Sequence, residues 1–507
     1  MKINRSSIIL AVMLLNTYAR AQKPAPLWQD YLTAKQTGKT PVLPDFSYAG
    51  YHWSEKEIPD ISSKKHFNVD DYGAKPNDAL FDDEAIQKAI DAAEANEGGG
   101  VVFFSPGKYL ISPEKNSKRS IRISKSGIVL KGSGSGKEGT EIYQANMSVN
   151  TRQFMFRPAD SKSARLTTIV KDAGRETFEI EVANTTKLKV GQDVVIRHRS
   201  EEFTRLYFGN LPLKQEWTRQ LGPEGGMQIF EIHTITKISG TKVTFKNPIH
   251  LDIKMVKSAS WDLSEYRSIE ECGIEDIRFS SNWKSYPEEF VHHKDEIHDY
   301  AYEAVGMELV KNSWVRNCEF VDLNEGIYIR SGYQVSVLNT HFRGKKGHAS
   351  VHARTGYGVL IKNCTFNNAQ HHGAGTGYSA VGTVITQCTL GMDQNIDIHS
   401  GQPFATLYDD IEGGVFYNLG GPEQGHPHHG RHLVLWNFNH QSAKDQNYNF
   451  WDMSRRRNYT IAEPIIVGFR SNKKVTFENA GINELQAEQV LPKSLFEAQL
   501  KLRLAAK

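Results

Sequence analysis

The sequence predicts an all-β chain wound as a parallel solenoid, and three observations carry that expectation. An Asn-x-x-Phe anchor recurs as Asn317-Cys318-Glu319-Phe320, Asn339-Thr340-His341-Phe342, Asn363-Cys364-Thr365-Phe366 and Gln387-Cys388-Thr389-Leu390, at spacings of 22, 24 and 24 residues, after a degenerate copy at Asp276-Ile277-Arg278-Phe279. That period suits a coil of three strands whose equivalent residues stack on the next coil about 4.8 Å away. Within each period a second, alternating strand ends in a small residue and a glycine: Ile327 to Gly332, Val351 to Gly356, Gly373 to Gly377 and Ile396 to Gly401. The chain also enters the repeats through a strand, helix and strand between Phe67 and Tyr109.

At the N-terminus, Lys2 and Arg5 precede the apolar run Ile8 to Leu15, and Ala19-Arg20-Ala21 offers small residues for cleavage. Residues 1–21 therefore read as a signal peptide, and the protein as exported to the periplasm or beyond. The run is too short to span a bilayer and no later stretch replaces it, so no membrane insertion is expected. No cysteine precedes Cys272, which argues against a lipoprotein anchor. With 61 Lys+Arg against 58 Asp+Glu, a net charge of +3 over 507 residues gives no electrostatic case for nucleic acid. An acidic ligand must be met by local charge. Four cysteines without a C-x-x-C pair exclude a disulfide framework, and Cys318, Cys364 and Cys388, sharing one repeat column, read as small core residues.

Residues 22–64 are rich in Trp, Tyr and Pro without periodicity and read as an arm on the surface. Residues 65–159 open the solenoid. Phe67-Asn68-Val69-Asp70-Asp71-Tyr72-Gly73-Ala74 is followed by a helix whose Ile86, Ala89, Ile90 and Ala93 form one apolar face, started by Asp82-Asp83 and stopped by Gly98-Gly99-Gly100. Val101-Val102-Phe103-Phe104-Ser105-Pro106-Gly107-Lys108-Tyr109 then returns to strand.

This segment resembles the opening of pectate-lyase-like (pectin lyase fold) proteins: a strand with D-Y-G-A, an A-I-Q-x-A-I helix over the open end of the solenoid, and G-G-x-V-x-F-P-x-G-x-Y as the first rung. The resemblance implies a right-handed parallel β-helix with an N-terminal capping helix. It also implies a secreted polysaccharide-degrading enzyme, although lyases, glycoside hydrolases, epimerases and phage tailspikes share the scaffold.

Residues 160–255 interrupt the repeats with short alternating strands such as Thr177 to Val182, Gly191 to Ile196 and Thr241 to Phe245, and read as a small inserted antiparallel β module. Phe203 to Phe208 reads as a loop connecting its strands. The main β-helix occupies 256–480. Over 481–507, Leu491, Leu495, Leu500 and Leu502 have helical spacing, which predicts a C-terminal helical cap or arm.

The alternating strands place Ile327, Ile329, Val351, Ala353, Ala374, Ile396 and Ile398 inward. That leaves one outward column of Tyr328, His352, Gly373 and Asp397, and a second of Arg330, Arg354, Gly375 and His399. Two glycines between Arg354 and His399 would leave a gap of roughly 10 Å, from two 4.8 Å steps, wide enough for a sugar. His348, His371 and His372 lie in adjoining turns. These side-chain types fit elimination on a uronate polymer. Arg binds carboxylate bidentately and stays charged, while His and Tyr exchange protons near neutrality. Arg330 and Arg354 are the candidates for neutralising the carboxylate, His352 or His399 for the base and Tyr328 for the acid. Asp397 either orients a histidine or ligates calcium; His348, His371 and His372 are candidate substrate contacts.

Hydrolysis instead needs two carboxylates across the bond; the columns hold only Asp397, with Asp393, Asp409 and Asp410 nearby. The chain lacks the Asn-Thr-Asp and Gly-His-Gly of polygalacturonases and the Arg-x-Pro-x-x-Arg of calcium-dependent pectate lyases. A lyase acting on an acidic polysaccharide is the leading expectation, with a glycoside hydrolase and a non-catalytic carbohydrate-binding solenoid beside it. The oligomeric state and any metal requirement stay open. Two further His-rich stretches, His292 to Asp299 and Gly425 to His432 (which follows Gly420-Gly421), have no fixed metal-ligand spacing and read as polar loops. Arg455-Arg456-Arg457 reads as a solvated patch.

Overall fold

A computed structural model describes residues 23–215, 217, 225–416, 427–453 and 459–506. Residues 1–21, expected as a signal peptide, Gly420-Gly421, Gly425-His426 and the Arg455 to Arg457 run lie outside the described residues.

The repeats wind into a parallel β-helix with three ladders. The first stacks Arg152–Phe156, Glu303–Glu308, the start of Glu325–Leu338, Ala349–Tyr357, His372–Val381 and Asp397–His399. The second runs from Gly100–Phe103 through Val310–Arg316, the end of Glu325–Leu338, Leu360–Lys362 and Val384–Thr386 to Leu433–Trp436 and Ile465–Val467. The third carries the anchors: Phe279, Phe320, Phe342, Phe366 and Leu390 pair in register, with ring centroids 5.0–5.2 Å apart. Asn317, Asn339, Asn363 and Gln387 turn the corner before it with φ of 50–55°. Asn accepts this left-handed conformation at low cost, and Asn339 Nδ2 donates to Asn317 Oδ1 at 3.2 Å, so neighbouring corners are also tied by their amides. All four cysteines are buried free thiols.

Helix Asp83–Ala95 buries Ile86, Ala89, Ile90 and Ala93 over the first coils. The inserted module is a six-stranded antiparallel sheet that runs past residue 255 to include Trp261–Glu265. Within it, the stretch expected as a loop is helix Glu201–Phe208, because Ser200 accepts a hydrogen bond from Phe203 N and caps it.

The N-terminal arm holds a helix of its own, Pro26–Thr37, which buries only Leu27 and Tyr31 and so leaves no periodic trace in the sequence. At the C-terminus, Ile482–Glu484 and Val490–Leu491 are strands, and the helix begins only at Leu495. Asp409 sets that start: its carboxylate accepts from Leu495 N at 2.8 Å, Thr386 Oγ1 at 2.9 Å and Phe496 N at 3.3 Å. Module, arm and C-terminal helix all pack on the outer side of the second ladder, where Tyr333, Tyr357, Val381, Leu407, Val434 and Val467 are buried. The outer side of the first ladder is not covered in this way, and the candidate site lies there.

Candidate functional site

Both outward columns form on the first ladder. Tyr328 pairs with His352 and Arg330 with Arg354, and Asp397 and His399 continue these columns. The glycine rung differs from expectation: His352 faces Gly375 and Arg354 faces Gly377, two residues beyond the expected Gly373 and Gly375. Glycines at 373, 375 and 377 repeat every second residue, so parity alone does not fix the register, and an irregularity between Arg354 and Gly356 absorbs the slip.

The correction changes what the glycines do. His352 reaches over Gly375 to place Nε2 2.8 Å from Asp397 Oδ2. A Cβ on Gly375 would lie 2.4 Å from Asp397 Cβ. The rung is where two side chains meet over bare backbone, not a slot for a sugar.

Asp397 is fully buried among imidazoles. His372 Nδ1 is 3.0 Å and His399 Nδ1 3.4 Å from its Oδ1. Burial opposes its charge, but His372, His352 and His399 outweigh it and hold the carboxyl well below the usual range. Burial lowers His372 to about 3; burial and then Arg354 lower His399 to about 3. His348 and His371 are likewise held to about 3 and about 2, burial first and neighbouring histidines next.

Nearer the solvent, Arg354 Nη2 donates to His352 Nδ1 at 3.1 Å. Its guanidinium lies 5.4 Å from the Tyr328 ring and 5.3 Å from that of Tyr378. Neither Arg354 nor the exposed Arg330 has an ion pair with the described residues. His399 keeps 12% of its side chain exposed, whereas His352 keeps 1% and His372 none. Tyr328, Arg354 and His399 thus meet the groove, and His352, His372 and Asp397 lie beneath them.

Some of the surroundings were not legible in the sequence. His292, from the stretch expected to be a polar loop, stacks on His371 at 3.8 Å and comes within 5.2 Å of the His372 ring. His348 Nδ1 donates to the Asp299 carbonyl at 2.7 Å. Arg152 lies 3.9 Å from the Tyr328 ring and bridges Glu303 and Glu325 at 3.1 Å each. Burial, opposed by Arg152, leaves Glu303 raised, while Arg152 holds Glu325 low despite its burial, so the trio carries no net negative charge. The other acidic candidates have structural work: Asp409 starts the C-terminal helix, Asp410 pairs with Lys493 at 3.2 Å, and Asp393 accepts from Ala443 N. In the second His-rich stretch, His429 binds Thr406 Oγ1 at 2.9 Å and His428 binds Thr460 Oγ1 at 2.9 Å, away from the groove.

Comparison with known proteins agrees with this architecture. A family model described as "Rhamnogalacturonase A/epimerase, pectate lyase-like" matches residues 66–212, and one described as "Right handed beta helix region" matches 267–403. A domain of unknown function (DUF4955) matches 369–507, from just before His371 onward. Alginate lyase 7 of Azotobacter vinelandii is 30% identical over 121 residues, which is 24% of this chain and 12% of that protein. Mannuronan C5-epimerase AlgE3 of the same organism is 31% identical over 121 residues, 24% of this chain and 6% of its own. Among solved structures, the tailspike protein gp49 from Pseudomonas phage LKA1 superposes with a TM-score of 0.47 at 13% identity, covering 83% of this chain and 81% of that one. The AlgE6 A-module of A. vinelandii gives 0.41 at 13% identity, covering 82% and 91%.

Proposed function

The chain belongs to the pectate-lyase-like right-handed β-helix superfamily, and we propose that it acts outside the cytoplasm on an acidic, uronate-bearing polysaccharide, cleaving it by β-elimination. The observation that carries this reading is Arg354, a guanidinium between two tyrosine rings with no carboxylate partner among the described residues and a histidine on the next coil but one. A half-buried Arg that makes no ion pair with the described residues favours an anionic ligand, and its planar fork suits a carboxylate.

In this reading Arg354, with Arg330 on the neighbouring coil, pairs with the uronate carboxylate and makes the C5 proton acidic. A base takes that proton, the electron pair forms the C4–C5 double bond, the C4–O bond breaks, and an acid protonates the departing oxygen. Tyr328 and His399 are the proton-exchanging groups that meet the groove. His352, bonded to Arg354 and set against Asp397, positions the guanidinium without touching substrate. Alginate lyase 7 is a relative over part of the chain, in keeping with this chemistry.

Hydrolysis is disfavoured because it needs two carboxylates facing the groove. Here Asp397 is enclosed by imidazoles, and Glu303 and Glu325 are bound to Arg152. C5-epimerisation is the second reading, favoured by the matches to mannuronan C5-epimerases. It removes the same proton and returns one from the opposite face.

The test is a panel of uronate and neutral polysaccharides, followed by ultraviolet absorbance and reducing ends together, in parallel with incubation in D2O. Elimination raises both signals. Reducing ends alone mean hydrolysis, deuterium at C5 without cleavage means epimerisation, and binding with none of these means a non-catalytic solenoid; each of the three overturns the lyase reading.

A further inference from the structure

We infer that His372 Nδ1, Asp397 Oδ1 and His399 Nδ1 form a binding site for one borderline divalent transition ion, of which zinc is the reference case. One potential ligand atom from each of the three residues lies within 4.8 Å of the other two. Two imidazole nitrogens converge on one carboxylate oxygen, His372 Nδ1 at 3.0 Å and His399 Nδ1 at 3.4 Å. Metal bonds of about 2.0–2.1 Å place neighbouring ligand atoms of a shared ion roughly 2.9–3.4 Å apart, between right-angle and tetrahedral geometry. The two nitrogen–oxygen separations fall in that interval.

Hydrogen bonding does not account for the cluster. Although the nitrogens are close to Asp397, their N–H directions miss it. Both nitrogens of His372, both oxygens of Asp397 and Nδ1 of His399 are buried without an aligned hydrogen-bond partner among the described residues. His372 and Asp397 are 0% exposed. Each such orphan is costly, and one cation gives a partner to a donor atom on each of the three residues. His352 Nε2, 2.8 Å from the other carboxylate oxygen, likewise lacks an aligned hydrogen-bond partner among the described residues and lies outside the proposed donor set.

The donor set also selects the ion. Calcium takes six to eight oxygen ligands, whereas two imidazoles and one carboxylate suit Zn2+, Co2+ or Ni2+. The set therefore fits a borderline transition ion better than calcium.

The test uses the whole chain and the metal alone. After chelation and dialysis, Zn2+ content and Co2+ visible absorption are measured for wild type, His372→Ala, Asp397→Asn, His399→Ala and, as a neighbouring control, His371→Ala. One tightly bound ion per chain is expected, with Co2+ ligand-field bands. Affinity falls at least 100-fold in the first three variants and less than tenfold in His371→Ala. No stoichiometric binding by wild type, or wild-type affinity in His399→Ala, overturns the site, as does loss confined to His371→Ala. His399 is partly exposed, so His399→Ala decides the matter if the buried variants do not fold. Because no substrate is present, a chain that binds the ion and cleaves no uronate polymer keeps this site and loses the function proposed above.

Discussion

Gly375→Ala is the smallest perturbation that reaches the centre of the site. The added Cβ would sit 2.4 Å from Asp397 Cβ, 2.5 Å from the Asp397 carbonyl oxygen and 2.9 Å from Oδ2. Relief requires a shift of about 1 Å, since ordinary carbon contacts are near 3.5–4.0 Å, and the Gly375–Asp397 ladder pairing resists it. Overpacking of this kind costs about 1–3 kcal/mol. Alanine returns about 0.4–1 kcal/mol by restricting the unfolded chain. The net loss is roughly 1–2 kcal/mol, a fall in Tm of about 1–4 °C for a chain of this size. The effect on catalysis is larger, because a 1 Å misplacement of positioned groups costs about 100-fold. The assay pairs thermal unfolding with initial rates on the uronate polymer wild type cleaves best. Gly391→Ala, whose Cβ would meet only the Phe366 carbonyl oxygen at 3.7 Å, is the control and stays at wild-type rate. Wild-type rate and Tm in Gly375→Ala would refute the assignment of the rung as the meeting point of His352 and Asp397.

Arg354→Lys removes the fork and its hydrogen bond to His352, so kcat/KM falls at least 100-fold on uronate polymers, with Lys rescuing no more than Ala; near-wild-type kinetics in the Lys variant would exclude bidentate carboxylate binding. Arg152→Met strands Glu303 and Glu325 as unpaired buried carboxyls and lowers stability by about 3–5 kcal/mol in urea unfolding, against less than 1 kcal/mol if the trio is incidental. Buried His233, His429 and His440, held by burial at about 3, about 4 and about 4, keep their full stabilising effect above the unfolded pKa near 6.5 and lose it as pH falls toward those values. Asp409, raised by burial to about 7, has the opposite sign: its contribution is full below the unfolded carboxyl range and is lost as pH rises through 7. Asp409→Asn therefore steepens the loss of Tm between pH 7 and pH 4, and an unchanged slope would show that Asp409 does not hold its proton in the folded chain.

The solenoid was readable because its determinants are local and periodic. A Phe or Leu on each anchor coil and an Asn or Gln at each left-handed corner are legible within a single repeat, and the structure stacks them in register. The groove columns followed from alternation, which fixes parity but not register, so a run of three alternate glycines allowed a two-residue slip. His292 and the Arg152, Glu303 and Glu325 trio escaped notice for a different reason. Their partners come from an insertion and from adjacent rungs far apart in sequence, a juxtaposition set by stacking, with no sequence period. The arm helix was hidden because two buried residues make no stripe.

The central claim is elimination at Arg354, and it is tested most directly by the masses of products from a single uronate oligosaccharide of defined length. The account predicts pairs of fragments in which the new non-reducing end is one water lighter than a hydrolysis product and absorbs in the ultraviolet, with both features lost in Arg354→Ala. Fragments that have each kept the full mass of hydrolysed sugars, or unsaturated products undiminished in Arg354→Ala, would contradict it.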